Sequence, residues 1–425
     1  MASLTAAAMP LAADIGGPTT AEFSLAAEDI VIVVAVLLIY GVFSRWLARS
    51  WITTAMAMML LGALLGTNGL GLFKANLTDS IIEVLATITL AVVLFSDAST
   101  VHLGRLRARV DIPARMLTVG LLGTMALGAL VAYWLLPWLT WEYALVIGVI
   151  LAPTDAALGQ AVVSDPNVPV DIRQSLNVES GLNDGIAVPF LSIAVSLAVV
   201  GSQSEGGPGE LILTEVGIAA LIGIALGAVA AQLVRFGVRY GTMSPKWRGI
   251  VPAATALGAF LVADLAHGSG FIGAFVAGLT FGPMTRHTDE HLDEYLEESG
   301  GLLAAVTFFV FGALALGVAS NLLTWRMFLL AVLSLTLVRA VPVLVSLIGT
   351  GLNWRSKLML AWFGPRGLAT IVFAIIVIGG NVPGREVSTI VGAAVLTVMF
   401  SVVLHGLSAV PLSRAYGKWA ATHGE

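Results

Sequence analysis

Apolar runs of about 20 residues recur along this chain from residue 29 to residue 410, the length that crosses roughly 30 Å of hydrocarbon at about 1.5 Å per residue. Lipid offers the backbone no hydrogen bonds, so a spanning segment must satisfy its own N–H and C=O groups. That restricts the chain to a helical bundle or a closed barrel. The strand-like alternation of a barrel is absent, so the fold class is an all-α polytopic membrane protein. Composition agrees: 58% of residues are hydrophobic and 11% charged, against about 25% charged in a soluble domain. The runs delimit thirteen candidate helices, near 29–45, 51–70, 80–99, 114–136, 141–163, 172–199, 211–236, 248–266, 270–283, 300–319, 325–349, 356–378 and 386–410.

Basic residues orient the bundle. With the N-terminus outside, 16 of the 21 Lys and Arg residues fall in odd-numbered loops or after the last helix. Lys74, Arg326 and Arg385 fall outside, while Arg339 and Arg366 lie within spans. This positive-inside bias places the C-terminus in the cytoplasm. Residues 1–28 lack a basic n-region and read as a flexible extracytoplasmic tail rather than a signal peptide. Residues 411–425 read as a short cytoplasmic tail. The charged stretch around 284–299 predicts a separate amphipathic cytoplasmic helix. Cysteine is absent, which removes disulfides and thiolate metal sites. His287 and His291 sit at i, i+4, but in a charged loop that reads as solvated connector. No cofactor is expected, and the net charge of −5 points to no nucleic-acid partner.

Two spans are interrupted. The fifth carries Pro153 near its middle, and the twelfth carries Gly364-Pro365-Arg366-Gly367. A proline lacks the amide hydrogen and clashes with the carbonyl four residues back, here Val149 and Ala361. The two spans are seven apart and so run in opposite directions. Paired interruptions in opposed segments point to an inverted-repeat transporter with its site at the midplane. Unwound, crossing helices are expected at about 141–163 and 356–378.

Ionisable residues at bilayer depth cost about 2.5–3.5 kcal/mol even on the lenient insertion scale, so each is a functional candidate. The buried acids are Asp97, Asp155, Glu179 and Asp184; the buried bases are Arg339 and Arg366. Two permanently charged arginines neutralise two acids and leave two. A surplus carboxylate in a low-dielectric site must take a cation or a proton, which is the basis of exchange. Ser180 and Asp184 share one helix face, and Glu179 and Asn183 the adjoining one. Asp184 and Ser180 can offer oxygens to an ion, joined by Thr154 and Asp155, because hard cations want oxygen ligands. Asn183 can reach across to the break in the fifth span. Glu179 reads as a structural ion pair, with Arg339 first and Arg366 as the alternative. Asp97 stands between an ion-path ligand and an interfacial acid. Glu83 and Asp264, near outer helix ends, read as ordinary interfacial acids.

Pro153-Thr154-Asp155 followed by Glu179-Ser180-Gly181-Leu182-Asn183-Asp184 resembles the NhaP/NHE-type monovalent cation:proton antiporters. Arg339, the Gly-Pro-Arg-Gly run and the span count fit the same family, over nearly all of the chain after residue 28. The resemblance implies thirteen helices in two inverted six-helix repeats. It implies a core bundle, here about 114–199 and 325–410, and a homodimer formed by the remaining helices. It also implies that Asp184 binds cation and proton alternately, helped by Asp155, Thr154 and Ser180, with Glu179 bridged to Arg339. Asn183 directly before Asp184 resembles the electroneutral branch. The acid in the third span departs from the pattern, since some relatives carry Glu near there and this chain has Asp97.

The expectation is therefore one-for-one exchange of Na⁺, or of Li⁺ or K⁺, for H⁺ in a bacterial inner membrane, serving pH and sodium homeostasis. The protein would not be an enzyme. A proton-coupled solute symporter is the nearest rival, but the residues around the motifs are small and aliphatic. A channel lacks its repeated filter loops here, and an intramembrane aspartyl protease lacks its Gly-x-Gly-Asp run.

Overall fold

The structure is a computed structural model that describes residues 20–47, 52–74, 80–101, 110–200, 208–286, 288, 291–379 and 384–423. Among these, nine helices are long and apolar enough to cross a membrane, and four shorter apolar helices lie between them, which together make thirteen. No strand occurs among the described residues. In chain order the helices are α1 (Thr20–Leu47), α2 (Thr54–Leu65), α3 (Ser80–Thr100), α4 (Asp111–Leu135), α5a (Trp141–Ile150), α5b (Ala156–Val163) and α6 (Val170–Val200). The second half of the chain forms α7 (Pro208–Arg239), α8 (Pro245–Leu265), α9 (Gly270–Thr285), α10 (His291–Leu322), α11 (Trp325–Ser346), α12a (Trp354–Trp362), α12b (Leu368–Gly379) and α13 (Gly384–His423).

Local chemistry sets several starts. The hydroxyl of Thr53 accepts the amide of Met56 at 3.2 Å to open α2, and Thr324 accepts Met327 at 3.3 Å to open α11. Asn353 does the same for Arg355 at 3.1 Å, opening α12a. Helix contacts in lipid depend on close packing rather than on a hydrophobic drive, so small residues sit at the crossings. Gly62 of α2 and Gly66 just after it lie on the backbone of Phe309 and Ala313 in α10, and Gly278 and Gly282 of α9 lie on that of Phe95 and Ser99 in α3.

Two sets of helices pack mainly among themselves: α4, α5, α6, α11, α12 and α13 in one, and α2, α3 and α7 to α10 in the other. They meet where α3 touches α6 and α12b, and where α10 touches α13. Each triplet of the first set, α4–α6 and α11–α13, has a broken middle helix.

Three sequence expectations differ from what is observed. Helix α1 begins at Thr20, inside the stretch read as a tail. The charged stretch around 284–299 forms no separate helix: from His291 it is the first part of α10, because no proline intervenes before Leu322 and the Gly300-Gly301 pair alone does not stop a helix. Helix α13 passes Pro411 and continues to His423. Its last turns are held by packing: Ser413, Tyr416 and Ala420 are buried, and the Tyr416 hydroxyl donates to Ser356 at 2.9 Å. The His287–His291 pair is not described, since His287 lies outside the described residues.

Candidate ion-binding site

The two breaks cross. The amide of Asp155 donates to the carbonyl of Pro365 at 2.8 Å, and the Thr370 hydroxyl donates to the carbonyl of Ile150 at 3.0 Å. The chain rises from 150 to 155 while its partner falls from 370 to 365, so the crossing segments are antiparallel. The Val149 carbonyl, expected to be freed by Pro153, accepts the Ala152 amide at 3.3 Å as the end of α5a tightens. Ile150 instead supplies the acceptor that reaches across to α12b.

Asp155 lies at the start of both outgoing half-helices. Its Oδ1 accepts the Leu158 amide at 3.3 Å, capping α5b, and its Oδ2 accepts the Leu368 amide at 2.8 Å, at the first residue of α12b. Two positive helix ends converge on one carboxylate. Arg366 is the counterpart: its Nη1 donates to the carbonyl of Gly364, just beyond the end of α12a, at 3.0 Å. The two glycines of the Gly-Pro-Arg-Gly run have a steric reason. A methyl group at Gly367 would overlap the Asp155 carboxylate, and one at Gly364 would overlap the Arg339 guanidinium.

Beside the crossing, α6 presents its polar face. Glu179 is fully buried and holds Arg339 in a bidentate pair, Nη1 to Oε1 at 2.5 Å and Nη2 to Oε2 at 3.0 Å. Asn183 Nδ2 also donates to Glu179 Oε1 at 3.5 Å, and three further contacts run through Thr154. Its hydroxyl accepts the Asn183 amide at 2.5 Å, donates to Glu179 Oε2 at 3.2 Å and lies 3.3 Å from the Ser180 hydroxyl. Asn183 thus ties α6 to the break in α5. Arg366 keeps Nε and Nη2 buried without a hydrogen-bond partner.

Asp184 differs from the other two buried acids, Asp155 and Glu179. It is 5% exposed, and its Oδ1 is buried with no hydrogen-bond partner. Asp97, Asp155, Glu179 and Arg366 all act on it electrostatically. Asp97 reaches this neighbourhood from α3, since Gly181 of α6 faces the Asp97 side chain and backbone. On the next turn Gly185 lies against the ring of Phe275 in α9. Among the described residues no three His, Asp or Glu side chains form a metal cage. A monovalent cation held by one carboxylate, hydroxyls and carbonyls does not require one.

The structure adds residues that the sequence patterns did not single out. Ser401 and His405 of α13 are fully buried, and the Ser401 hydroxyl accepts the backbone amide of Arg366 at 2.6 Å. Thr397, Ser401 and His405 recur at i, i+4 and i+8 on the otherwise apolar stretch 390–407 of α13. That spacing was the available signal.

Residues 31–415 match the family model described as sodium/hydrogen exchanger, transmembrane. The chain belongs to the sodium/hydrogen exchanger family. Among its curated relatives is the K(+)/H(+) antiporter NhaP of Alkalimonas amylolytica, 26% identical over 389 residues, covering 90% of this chain and 66% of the relative. Another is the Na(+)/H(+) antiporter NhaP of Pseudomonas aeruginosa, 27% identical over 359 residues, covering 78% of this chain and 81% of the relative. This exchanger-family chain thus spans somewhat less than two thirds of the first relative's length. The sodium proton antiporter MjNhaP1 of Methanocaldococcus jannaschii shares the fold, with a TM-score of 0.76 over 93% of this chain and 99% of that one at 21% identity.

Proposed function

We propose that this chain is a secondary antiporter that exchanges a monovalent cation for H⁺ at Asp184 by alternating access. The observation that carries this reading is the distribution of partners among the buried acids. Glu179 is occupied by Arg339, and Asp155 by two helix N-termini. Asp184 keeps a buried carboxylate oxygen with no hydrogen-bond partner. In a low-dielectric site such an oxygen must be answered by a cation or a proton, and one carboxylate cannot hold both. Competition for it couples the two fluxes.

Ser180, Thr154 and backbone oxygens of the α5 break complete the cation's shell, while Asp155 contributes its field and Asn183 fixes the break against α6. Asp97 guides ions toward Asp184. With Asn183 neutral, one charge exchanges for one, and transport is electroneutral. Na⁺ is placed first, with Li⁺ and K⁺ as alternatives; the relatives named above include both Na⁺ and K⁺ antiporters. In this reading α4–α6 and α11–α13 form the moving core. The other helices form the scaffold of a homodimer in a bacterial inner membrane, with the N-terminus outside. The weakly buried window of α1, 6% buried against 67% for α13, supports a lipid or partner contact there.

The test is proton flux in proteoliposomes loaded with a pH dye, with Na⁺, Li⁺ and K⁺ added in turn. Wild type should move protons with at least one cation, and Asp184→Asn should not, while keeping its elution profile and melting temperature. Normal exchange by Asp184→Asn would overturn the assignment. A wild type that moves protons only with an organic solute would favour the symporter.

A further inference from the structure

Helix α13 carries a hydrogen-bonded device around the α12 break. Three groups form a relay. His405 is 1% exposed, its Nε2 lies 3.1 Å from the carbonyl of Trp362, and its Nδ1 lies 3.3 Å from the Ser401 hydroxyl and 3.1 Å from the Ser401 carbonyl. Each ring nitrogen faces a carbonyl that can only accept, Nε2 that of Trp362 and Nδ1 that of Ser401, and a neutral ring carries one hydrogen. Only with that hydrogen on Nε2 does the ring bond to α12a and leave Nδ1 free to accept from a hydroxyl, and this is the tautomer the relay uses. The neutral ring then accepts at Nδ1 from the Ser401 hydroxyl, whose oxygen in turn accepts the amide of Arg366 at 2.6 Å. Trp362 ends α12a, and Arg366 lies in the break, so the relay grips both sides of the interruption. The Trp362 indole ring lies 5.4 Å from the imidazole, and its N–H donates to Ser408 at 3.1 Å, closing the clasp from the same helix.

The break needs such a clasp. Its backbone polar groups have lost helical partners at a depth where water does not replace them. Arg366 has one side-chain bond, to Gly364, and its guanidinium is otherwise held only by where its backbone sits. That guanidinium is one of the charges around Asp184.

We infer that His405, through Ser401, is a positioning residue that fixes the backbone of the α12 break and thereby sets the distance of the Arg366 charge from Asp184. It touches neither ion. The charged groups acting on His405 are Arg366 and Arg339. The inference rests on the antiporter reading for its functional consequence, but not for its structural one.

Three His405 variants and one Ser401 variant separate the possibilities. His405→Gln keeps a donor and an acceptor, His405→Phe keeps the ring without either, and His405→Ala removes both; Ser401→Ala cuts the relay in its middle. Two readouts are taken. Hydrogen–deuterium exchange over residues 361–369 reads the clasp, and the pH profile and apparent cation KM of proton flux, per folded protein, read the charge at Asp184. The inference expects faster amide exchange, by about tenfold for loss of one buried hydrogen bond, in His405→Phe, His405→Ala and Ser401→Ala. It expects a displaced pH profile in the same three, and near-wild-type values of both in His405→Gln. A wild-type pH profile and KM in His405→Phe would overturn it, as would equal changes in His405→Gln and His405→Phe. If wild type moves no protons with any cation, the antiporter reading fails, and hydrogen exchange alone decides whether the clasp exists.

Discussion

At the residue scale, three buried acids, Asp155, Glu179 and Asp184, have three separate settings, and the settings are assigned by partners rather than by residue type. Glu179 is the clearest. It and Arg339 neutralise each other at full burial, which makes the pair costly to break from one side only. Glu179→Ala strands a guanidinium and should cost about 3–5 kcal/mol, seen as a lower melting temperature and poor yield in detergent. Glu179→Ala combined with Arg339→Leu should recover much of that loss, since no charge is left unpaired; a double variant as unstable as the single one would show that more than charge is involved. Sequence alone identified these residues because acids are rare in apolar spans. It put Arg339 ahead of Arg366 as the partner of Glu179, and the structure shows the Arg339 pair; Arg366 stayed an alternative because linear spacing says nothing about which of two distant helices lies closer. It also passed over Ser401 and His405, since a buried serine or histidine costs far less than a buried carboxylate and does not stand out from an apolar run.

At the scale of elements, two prolines open their helices while others do not. Pro189, Pro252 and Pro411 sit inside helices that run on without a break. Pro153 and Pro365 differ in their neighbours. Asp155 is a ready N-cap two residues after the first, and Gly364 and Gly367 flank the second, so each chain can leave the helix and restart. This explains why the positions of the breaks were legible in the sequence. The clasp around them was not, because it is built from α13, some forty residues further on. The steric role of Gly367 yields a second prediction. Gly367→Ala presses a methyl group onto the Asp155 carboxylate, and overpacking of this kind costs about 1–3 kcal/mol. Exchange activity should fall much further than stability, measured as flux against melting temperature, while the control Gly301→Ala, at a position with open space, should change neither.

At the scale of the molecule, span count and helical class were readable because lipid leaves the backbone so few options. The ends of helices were less so. Helix α13 outruns its apolar stretch because its cytoplasmic turns find another surface: Gly417 packs on Asn167 in the connection between α5b and α6, and Arg355 lies 5.0 Å over the Trp419 ring. Asp165 belongs to this contact. Burial pushes its carboxyl up, but the hydrogen bonds from Asn167, with Ser413 and Arg414 close by, outweigh that and bring it below the usual carboxylate range. A depressed folded-state pKa means that its stabilising contribution is complete above the ordinary carboxylate pKa and fades as pH falls through the lowered one. Asp165→Asn should therefore lower the melting temperature at neutral pH and converge with wild type in acid; parallel curves at all pH values would remove Asp165 from the account. Transport as a whole should be indifferent to a clamped membrane potential, and Asn183→Asp, which adds an acid, is expected to make it respond.

One carboxylate binds the start of α5b and the start of α12b, and those helices come from opposite halves of the chain. Each half therefore carries what the other lacks. The first supplies the acid that two outgoing helices need; the second supplies the Gly-Pro-Arg-Gly segment against which that acid is seated, and the arginine that completes Glu179. Were the polypeptide divided between α7 and α8, each fragment would enter the bilayer with a ruptured helix and an unanswered charge. Neither could be a smaller version of the whole, and activity would return only when both were made together.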